Sequence, residues 1–514
     1  MSFDLRELNF GTPAAERDQD LLACFVENDS YDGVLNKRKN VVLGNRGTGK
    51  SAIFRRIEED FKKQGRIVIT LAPDDFSYEM MSKVLERESK GAWAKHGAYS
   101  AAWRYLIYIE AFREISSSGL FKVGKAAKLY NFVRDNVQPF DKNPIGLLIS
   151  FIKRLEGFKI GKYEGSIKAR ELDQLYKLQE IQELIDVLDD VAARKPIVVL
   201  VDELDKGWDA SEDAKGFVSG LFSAAMNINS RHVNLRVVIS LRRELYDNIP
   251  EIYEDHQKVS DTVERISWSE DSLLQFASLR IAKCYPGLEK LGHSLRWNSV
   301  FAERLSYRSA NSFNYVVDRT LFRPREIVQF ANSIADEARR SKKGLPLDYD
   351  SIAAAEGQYS ESRLNDIAAE YKFQYPGLTS LFETFRGLKF NMSKEDFHEH
   401  LMRVICKEFA LAKEAAWVFE TDVEPLVKVL WEVGFIKAQV VGGVKAQRRS
   451  GSDWLGSYQI SGVSVSDMPL YQVHPMFRAF LGMKEKKSKK LQKAFPTAAR
   501  QKVSAEVKKN PEQG

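Results

Sequence analysis

The sequence predicts an α/β protein: a parallel sheet flanked by helices, carrying a helical insertion, followed by a helical lid and a C-terminal winged-helix-like domain. Three observations carry that prediction. The stretch VVLGNRGTGKSAIFR, residues 41–55, passes from an apolar run through a glycine-rich loop into helical spacing. Residues 197–201 and 237–239 are short, continuous apolar runs, the pattern of central strands covered on both faces. Farther on, a helix signal is followed by strand signals in a separate block. A chain of 514 residues has room for about two to four such domains.

The first element fits G-x-x-x-x-G-K-[ST], the phosphate-binding P-loop. Glycines let successive backbone N–H groups curl around phosphates, and the N-terminus of the following helix adds partial positive charge. Gly44, Asn45, Arg46, Gly47, Thr48, Gly49, Lys50, Ser51 and Ala52 are therefore the candidate phosphate site. Lys50 would neutralise the β and γ oxygens, and the Ser51 hydroxyl would hold Mg²⁺.

Residues 80–190 read as mostly helical, with apolar positions at helical intervals over 102–115 and from 178 onward. They exceed what one strand and one helix need. The next strand, in PIVVLVDELD (196–205), ends on Asp202 and Glu203, at the sheet edge where open α/β folds bind ligands. Asp202 would assist the metal, and Glu203 would polarise the attacking water as general base. In RVVISLRRELYD (236–247), Ser240 and Arg242 sit where a strand emerges. Arg242 either senses the γ-phosphate or, with Arg243, opens a solvated helix. In residues 320–340, Pro324 marks a boundary and places Arg325 at the start of an amphipathic helix. Arg325 either reaches the phosphates from a helical lid or serves a structural salt bridge.

SKKGLPLDYD, residues 341–350, reads as a linker. Beyond it, Thr421 or Asp422 can cap a helix with Pro425 in its first turn and an apolar stripe of Leu426, Val427, Leu430 and Val433, ended by Gly434. FIKAQVV (435–441) reads as a strand, residues 442–456 as a long loop, and YQI (458–460) and LYQVH (470–474) as further strands. Helix followed by hairpin is similar to a winged helix, with Lys445, Arg448 and Arg449 at the wing tip, where cations can meet phosphates or simply face solvent. His474 reads as a buried, satisfied histidine. The expected domains are 1–270 (core, insertion at about 80–190), 271–345 (lid), 346–482 (linker and winged-helix-like domain) and 483–514 (basic tail).

Bulk properties narrow the function. The chain carries 77 Lys or Arg and 71 Asp or Glu, but residues 483–514 alone hold ten basic and three acidic residues, which leaves the body at −1. Net charge is thus no argument that the body binds nucleic acid, and the tail has the composition of a disordered basic arm. No run approaches the roughly 18 apolar residues that span a bilayer. Cys24, Cys284 and Cys406 are odd in number and far apart, which points to a reducing cytoplasm without disulfides. No metal cluster, catalytic triad or nuclease constellation stands out.

With GNRGTGKS, VVLVDELD, the VISLR strand end and the RPRE helix in this order, the sequence resembles the AAA+ and STAND ATPases, and looks like bacterial relatives of origin-recognition initiator ATPases. The resemblance covers about residues 1–340. It implies a P-loop core, a helical lid, ATP and Mg²⁺ as ligand and cofactor, and often a C-terminal winged helix. It also implies that residues 10–25 lie near the adenine edge. About 150 residues separate Lys50 from Asp202, more than the family minimum. No arginine finger acting on a neighbouring subunit is assigned, with Arg265 only a candidate. The function expected is an ATPase switch that couples nucleotide state to duplex DNA or a separately encoded protein effector, with nucleotide-dependent self-assembly. By analogy with the STAND branch, the setting is antiviral defence. The alternative is a DNA-binding or scaffold protein that holds ATP as a structural ligand with negligible turnover.

Overall fold

The computed structural model describes residues 3–72, 92–117, 127–136, 178–204, 208, 210–247, 249, 260–439, 454–460 and 463–484. The chain divides into two compact units, Met1–Ala355 and Glu356–Gly514.

The first unit is built on a five-stranded sheet. Its strands β1 (Val41–Leu43), β2 (Ile67–Leu71), β3 (Ile197–Val201), β4 (Leu235–Leu241) and β5 (Val263–Arg265) lie in the order β2-β3-β4-β1-β5. Every pairing is parallel, with Val41 beside Ile239 and Val263, and Val201 beside Ile239. Strand period 2 sorts the apolar side chains to two faces. Val42, Val198, Leu200 and Val238 pack with Tyr31 and Val34 of α1 (Asp29–Leu35) and with Ile53, Phe54, Ile57 and Phe61 of α2 (Lys50–Lys63). Val41, Leu43, Val199, Val201, Val237 and Ile239 face a larger layer containing α3 (Ala92–Ser117), α4 (Ala127–Asn136), α5 (Leu178–Arg194), α6 (Glu212–Arg231) and α7 (Arg243–Asp247). Cover on both sides explains why β3 and β4 read as unbroken apolar runs.

The described part of the expected insertion is helical. The described side chains of α3 are largely wrapped: Trp103, Leu106 and Phe112 are buried, and Tyr99 lies on α6 so closely that a Cβ on Gly220 would come 2.5 Å from the Tyr99 Cβ. β4 starts earlier than its apolar run suggests, at Leu235. Arg236 is accepted in a central strand because its guanidinium donates to the Asn40 side chain, the Val34 carbonyl (both 2.7 Å) and the Lys39 carbonyl. Burial lowers it to about 10.

A helical layer completes the unit: α8 (Glu270–Cys284), α9 (His293–Asn298), α10 (Ser312–Val317) and α11 (Pro324–Arg340). Trp297 stacks on Phe301 at 4.1 Å with Phe313 against its edge, and Phe10 from the N-terminal segment packs 6.4 Å from both stacked rings. Residues 341–350, expected as a linker, belong to this unit: the Leu347 N–H donates to the Val300 carbonyl (2.7 Å) and its own carbonyl accepts from Ala302 (2.9 Å).

The second unit holds an antiparallel sheet of β6 (Asn391–Ser393), β7 (Ile436–Gln439), β8 (Trp454–Leu455) and β9 (Leu470–Val473), in the order β6-β9-β7-β8. Its helices include α12 (Leu378–Glu383), α13 (Lys394–Ile405) and α14 (Val423–Glu432), the last burying Leu426, Val427 and Leu430. One expectation is overturned. Residues 458–460 are not a strand; β8 lies earlier, and Gln459 closes a turn onto the Gly456 carbonyl at 3.0 Å. The turn swings the Tyr458 hydroxyl onto His474 at 2.7 Å, where strand alternation would have carried it elsewhere. Lys445, Arg448 and Arg449, and the basic tail beyond residue 484, lie outside the described residues.

Candidate functional site

The glycine-rich loop leaves β1 at the carboxyl edge of the sheet, where the Gly44 N–H donates to the Leu241 carbonyl at 3.2 Å. Two of its glycines are required, Gly44 by space and Gly47 by space and backbone together. A Cβ on Gly44 would sit 2.4 Å from the Thr48 hydroxyl, and Gly47 has φ +84° with Arg325 3.0 Å from where a Cβ would be. Gly49, at φ +101°, opens α2, whose first turn has no acidic residue to compete for its partial positive charge. Lys50 lies back across the loop, its ammonium donating to the carbonyls of Gly44 (2.8 Å) and Asn45 (3.2 Å).

Asp202 and Glu203 follow β3 at the same sheet edge. Asp202 is buried, and its N–H donates to the Leu71 carbonyl at 3.0 Å. Glu203 stands at φ +61°, a left-handed conformation that costs a non-glycine residue energy and re-aims its side chain relative to the strand. Arg242 follows β4 and reaches Glu244 at 3.4 Å. Arg325, in the first turn of α11, donates from Nε to the Pro13 carbonyl at 3.0 Å.

These groups line one cleft of about 770 Å³: Arg46, Gly47, Gly49, Lys50, Ser51, Ala52, Asp202, Glu203, Arg242 and Arg325 all reach it. Gly44, Asn45 and Thr48 do not line it; they form the back of the loop, where the Thr48 hydroxyl donates to the Asn45 carbonyl at 2.9 Å. Ser240 is buried away from the lining, and Arg265 lies at the outer strand, 4.0 Å from Asp247.

The N-terminal segment, from Thr12 to Asn28, overlaps the residues 10–25 that the resemblance puts near a nucleotide, and it supplies much of the cleft wall, with Leu21, Cys24, Phe25 and Val26 in its apolar part. Burial pushes the Cys24 thiol up, so it behaves as a small hydrophobe. Other groups at the cleft were not singled out from the sequence. Arg280 of α8 pins the segment: its guanidinium donates to the Phe10 carbonyl (2.7 Å) and Asp18 (2.5 Å) and lies 4.7 Å over Phe276. Trp268, just before the Ser269 cap of α8, donates from its indole to the Thr48 carbonyl at 2.9 Å. Within α8, Phe276 and Arg280 share the period of an ordinary helix, and nothing local distinguishes them or Trp268 before its cap.

The residues fit a magnesium ion held with a phosphate ligand. Ser51 and Asp202 line the same cleft, and among the described residues no group of three His, Cys, Asp or Glu forms a self-sufficient metal site. Mg²⁺ takes few protein ligands and completes its shell with phosphate oxygens and water. Among the described residues, no helix is long and apolar enough to cross a membrane.

Residues 271–368 match the family described as a FunZ-associated C-terminal helical domain. Over 385 residues the chain is 24% identical to the "Putative transposon gamma-delta 80.3 kDa protein" of Escherichia coli (strain K12), covering 74% of this chain. The match spans 54% of that relative, so the chain corresponds to about half its length. The structure of the Aeropyrum pernix ORC2 protein in ADPNP-ADP complexes is similar over 90% of both chains at 11% identity, with a TM-score of 0.34, too distant to align residues.

Proposed function

We propose that the protein is an ATP-binding and hydrolysing switch of AAA+/STAND type, in which the nucleotide state of the first unit controls engagement of a partner. One observation carries the reading: the glycine-rich loop with Lys50, the acidic pair Asp202–Glu203, and two arginines from separate elements converge on a single cleft.

Each group has a task that its position supports. Backbone N–H groups of the loop and the N-terminus of α2 would bind the phosphates, and Lys50 would exchange the two loop carbonyls it now holds for phosphate oxygens. Ser51 and Asp202 would hold Mg²⁺, which when bound would draw charge from the β and γ oxygens. Glu203 would take a proton from the water attacking the γ-phosphorus. Arg242 and Arg325 would meet charge developing on the transferred group, each leaving or sharing its present partner.

For the partner, the order of helices and strands from α12 to β9 supports a winged-helix-like reading of the second unit. The exposed side of α14, the helix before the hairpin, carries Glu424 and Glu432 against Lys428, with Asp422 at its cap. Such a face repels a phosphate backbone. It favours a protein partner over duplex DNA at that helix.

Calorimetry with Mg·ATP tests the reading, and absence of heat would end it. Lys50→Ala should weaken binding about 100-fold by removing the phosphate counter-charge. Glu203→Gln should keep binding and slow phosphate release by about 10²–10³-fold. Turnover unchanged in Glu203→Gln would remove the assigned base, and a wild-type chain that binds without turnover would favour nucleotide as a structural ligand.

A further inference from the structure

Three consecutive carbonyls of the phosphate loop accept hydrogen bonds from outside the loop, and every donor comes from residues 268–325. The Arg46 carbonyl accepts from the Arg323 guanidinium (3.1 Å), the Gly47 carbonyl from the Arg325 N–H (3.4 Å), and the Thr48 carbonyl from the Trp268 indole (2.9 Å). We infer that Trp268 and Arg323 are positioning residues for the phosphate loop, so that the helical layer carrying them sets the affinity of the site for a nucleoside triphosphate. This deepens the nucleotide-binding reading and rests on it.

The reason is peptide geometry. A trans peptide is planar, and its C=O and N–H point to opposite sides. Fixing the carbonyls of residues 46 and 48 toward the helical layer therefore turns the N–H groups of Gly47 and Gly49 to the other side, and both glycines line the cleft. The Thr48 N–H folds inward, to the Asn45 carbonyl at 3.3 Å. Glycines at φ +84° and +101° have many other conformations open to them, so a loop this permissive needs external restraint to keep two amides aimed at an anion.

Both donors are themselves held. Arg323 is buried, with Glu326 at 3.8 Å balancing its charge, while the other Glu326 oxygen accepts from the Leu321 N–H at 2.6 Å. Trp268 rests edge-on to Phe276 and immediately precedes the capping box that starts α8. Neither is called by a phosphate motif, since both act on the loop from its outer side.

The test compares the wild-type chain with Trp268→Phe, which keeps a ring and loses the N–H, and with Arg323→Lys, which keeps the charge beside Glu326 and shortens the reach to Arg46. Affinity for Mg·ATP, KM and kcat for its hydrolysis, and the melting temperature without ligand are measured for each. Loss of one hydrogen bond to the loop should weaken Mg·ATP binding about 3- to 10-fold and raise KM in step, with kcat and melting temperature unchanged. Wild-type affinity in both variants overturns the inference, as does a parallel fall in affinity and melting temperature, the mark of a merely structural role. A wild-type chain that gives no heat with Mg·ATP overturns instead the nucleotide reading itself.

Discussion

Around the cleft of the first unit and in the core of the second, buried polar side chains serve different ends. In the first, Asp18, Thr48, Asp202, Arg280 and Arg323 are all buried beside a cleft, and Thr48, Arg280 and Arg323 donate to backbone carbonyls of the segments around it. In the second, His400, Gln472 and His474 are buried inside a packed core, and their partners, Thr384, Arg478, Tyr458 and the Met476 N–H, belong to that same core. A buried polar group costs folding free energy unless it is bonded, and the bonded side chains named in both units meet that demand through the bonds above. The difference lies in what the bonding frames. Around a void it aims backbone and charge at a ligand; without one it fixes the packing of helix on sheet. Substitutions should therefore separate: those at the cleft should move nucleotide binding, those in the second unit only stability.

Arg280→Ala is the change most able to break that separation, because this cleft arginine is also a structural pin. Its guanidinium and Asp18 are almost wholly buried, at 4% and 3% side-chain exposure. Removing it strands the Asp18 carboxylate and the Phe10 carbonyl together. The expected loss is about 3–5 kcal/mol of unfolding free energy in a urea titration, with Mg·ATP affinity falling as well because the N-terminal segment loses its anchor. Unchanged stability would show that the segment is held by its other bonds, among them Arg55 to the Ala15 carbonyl and Asn332 to Phe10 and Gly11.

A smaller effect should come from acid, and in the second unit. His400 is buried against Phe385 and Phe409, and burial, with Arg403 adding to it, lowers it to about 4. Its Nε2 meets the Thr384 hydroxyl at 3.1 Å, and that hydroxyl donates onward to the Leu381 carbonyl, so the ring fits as the neutral tautomer that donates from Nε2. The unfolded chain takes up this proton near the ordinary value of 6.5, whereas the folded chain resists it until about pH 4. The contribution is therefore complete above pH 6.5 and lost as pH falls through 4, at most about 3 kcal/mol. Urea midpoints between pH 7 and pH 4 should fall more steeply in the wild type than in His400→Gln. Equal slopes would place the acid sensitivity elsewhere.

How much of this could be read from residues alone follows from where the chemistry is contiguous. The loop from Gly44 to Ser51 and the run ending in Asp202–Glu203 state their task within a few positions each, because phosphate contact and metal contact are made by neighbours in sequence. Trp268, Arg280 and Arg323 act across some 220 to 280 residues, and each sits in a helix or at its cap where local spacing already explains it. β2 and β5 carry too little pattern to read: β2 interrupts its apolar run with exposed Thr70, and β5 is three residues long with Glu264 and Arg265 in it. The strand expected at 458–460 failed for a related reason, since YQI has strand composition while its tyrosine is committed to a histidine sixteen residues away.

That tyrosine gives the smallest and cleanest test of the comparison. The Nδ1 of His474 accepts from the Met476 N–H at 3.2 Å, which leaves Nε2 as the protonated nitrogen, donating to the Tyr458 oxygen at 2.7 Å. His474 is fully buried and caps the short helix that follows β9. Tyr458→Phe keeps the ring and withdraws one acceptor, so unfolding free energy should fall by about 1 kcal/mol with the urea slope unchanged. Mg·ATP affinity should stay at the wild-type value, because the bond it removes frames no cavity. A shift in nucleotide affinity from this substitution would mean that the second unit's core is coupled to the cleft, and the division between ligand-directed and packing-directed polar burial would have to be given up.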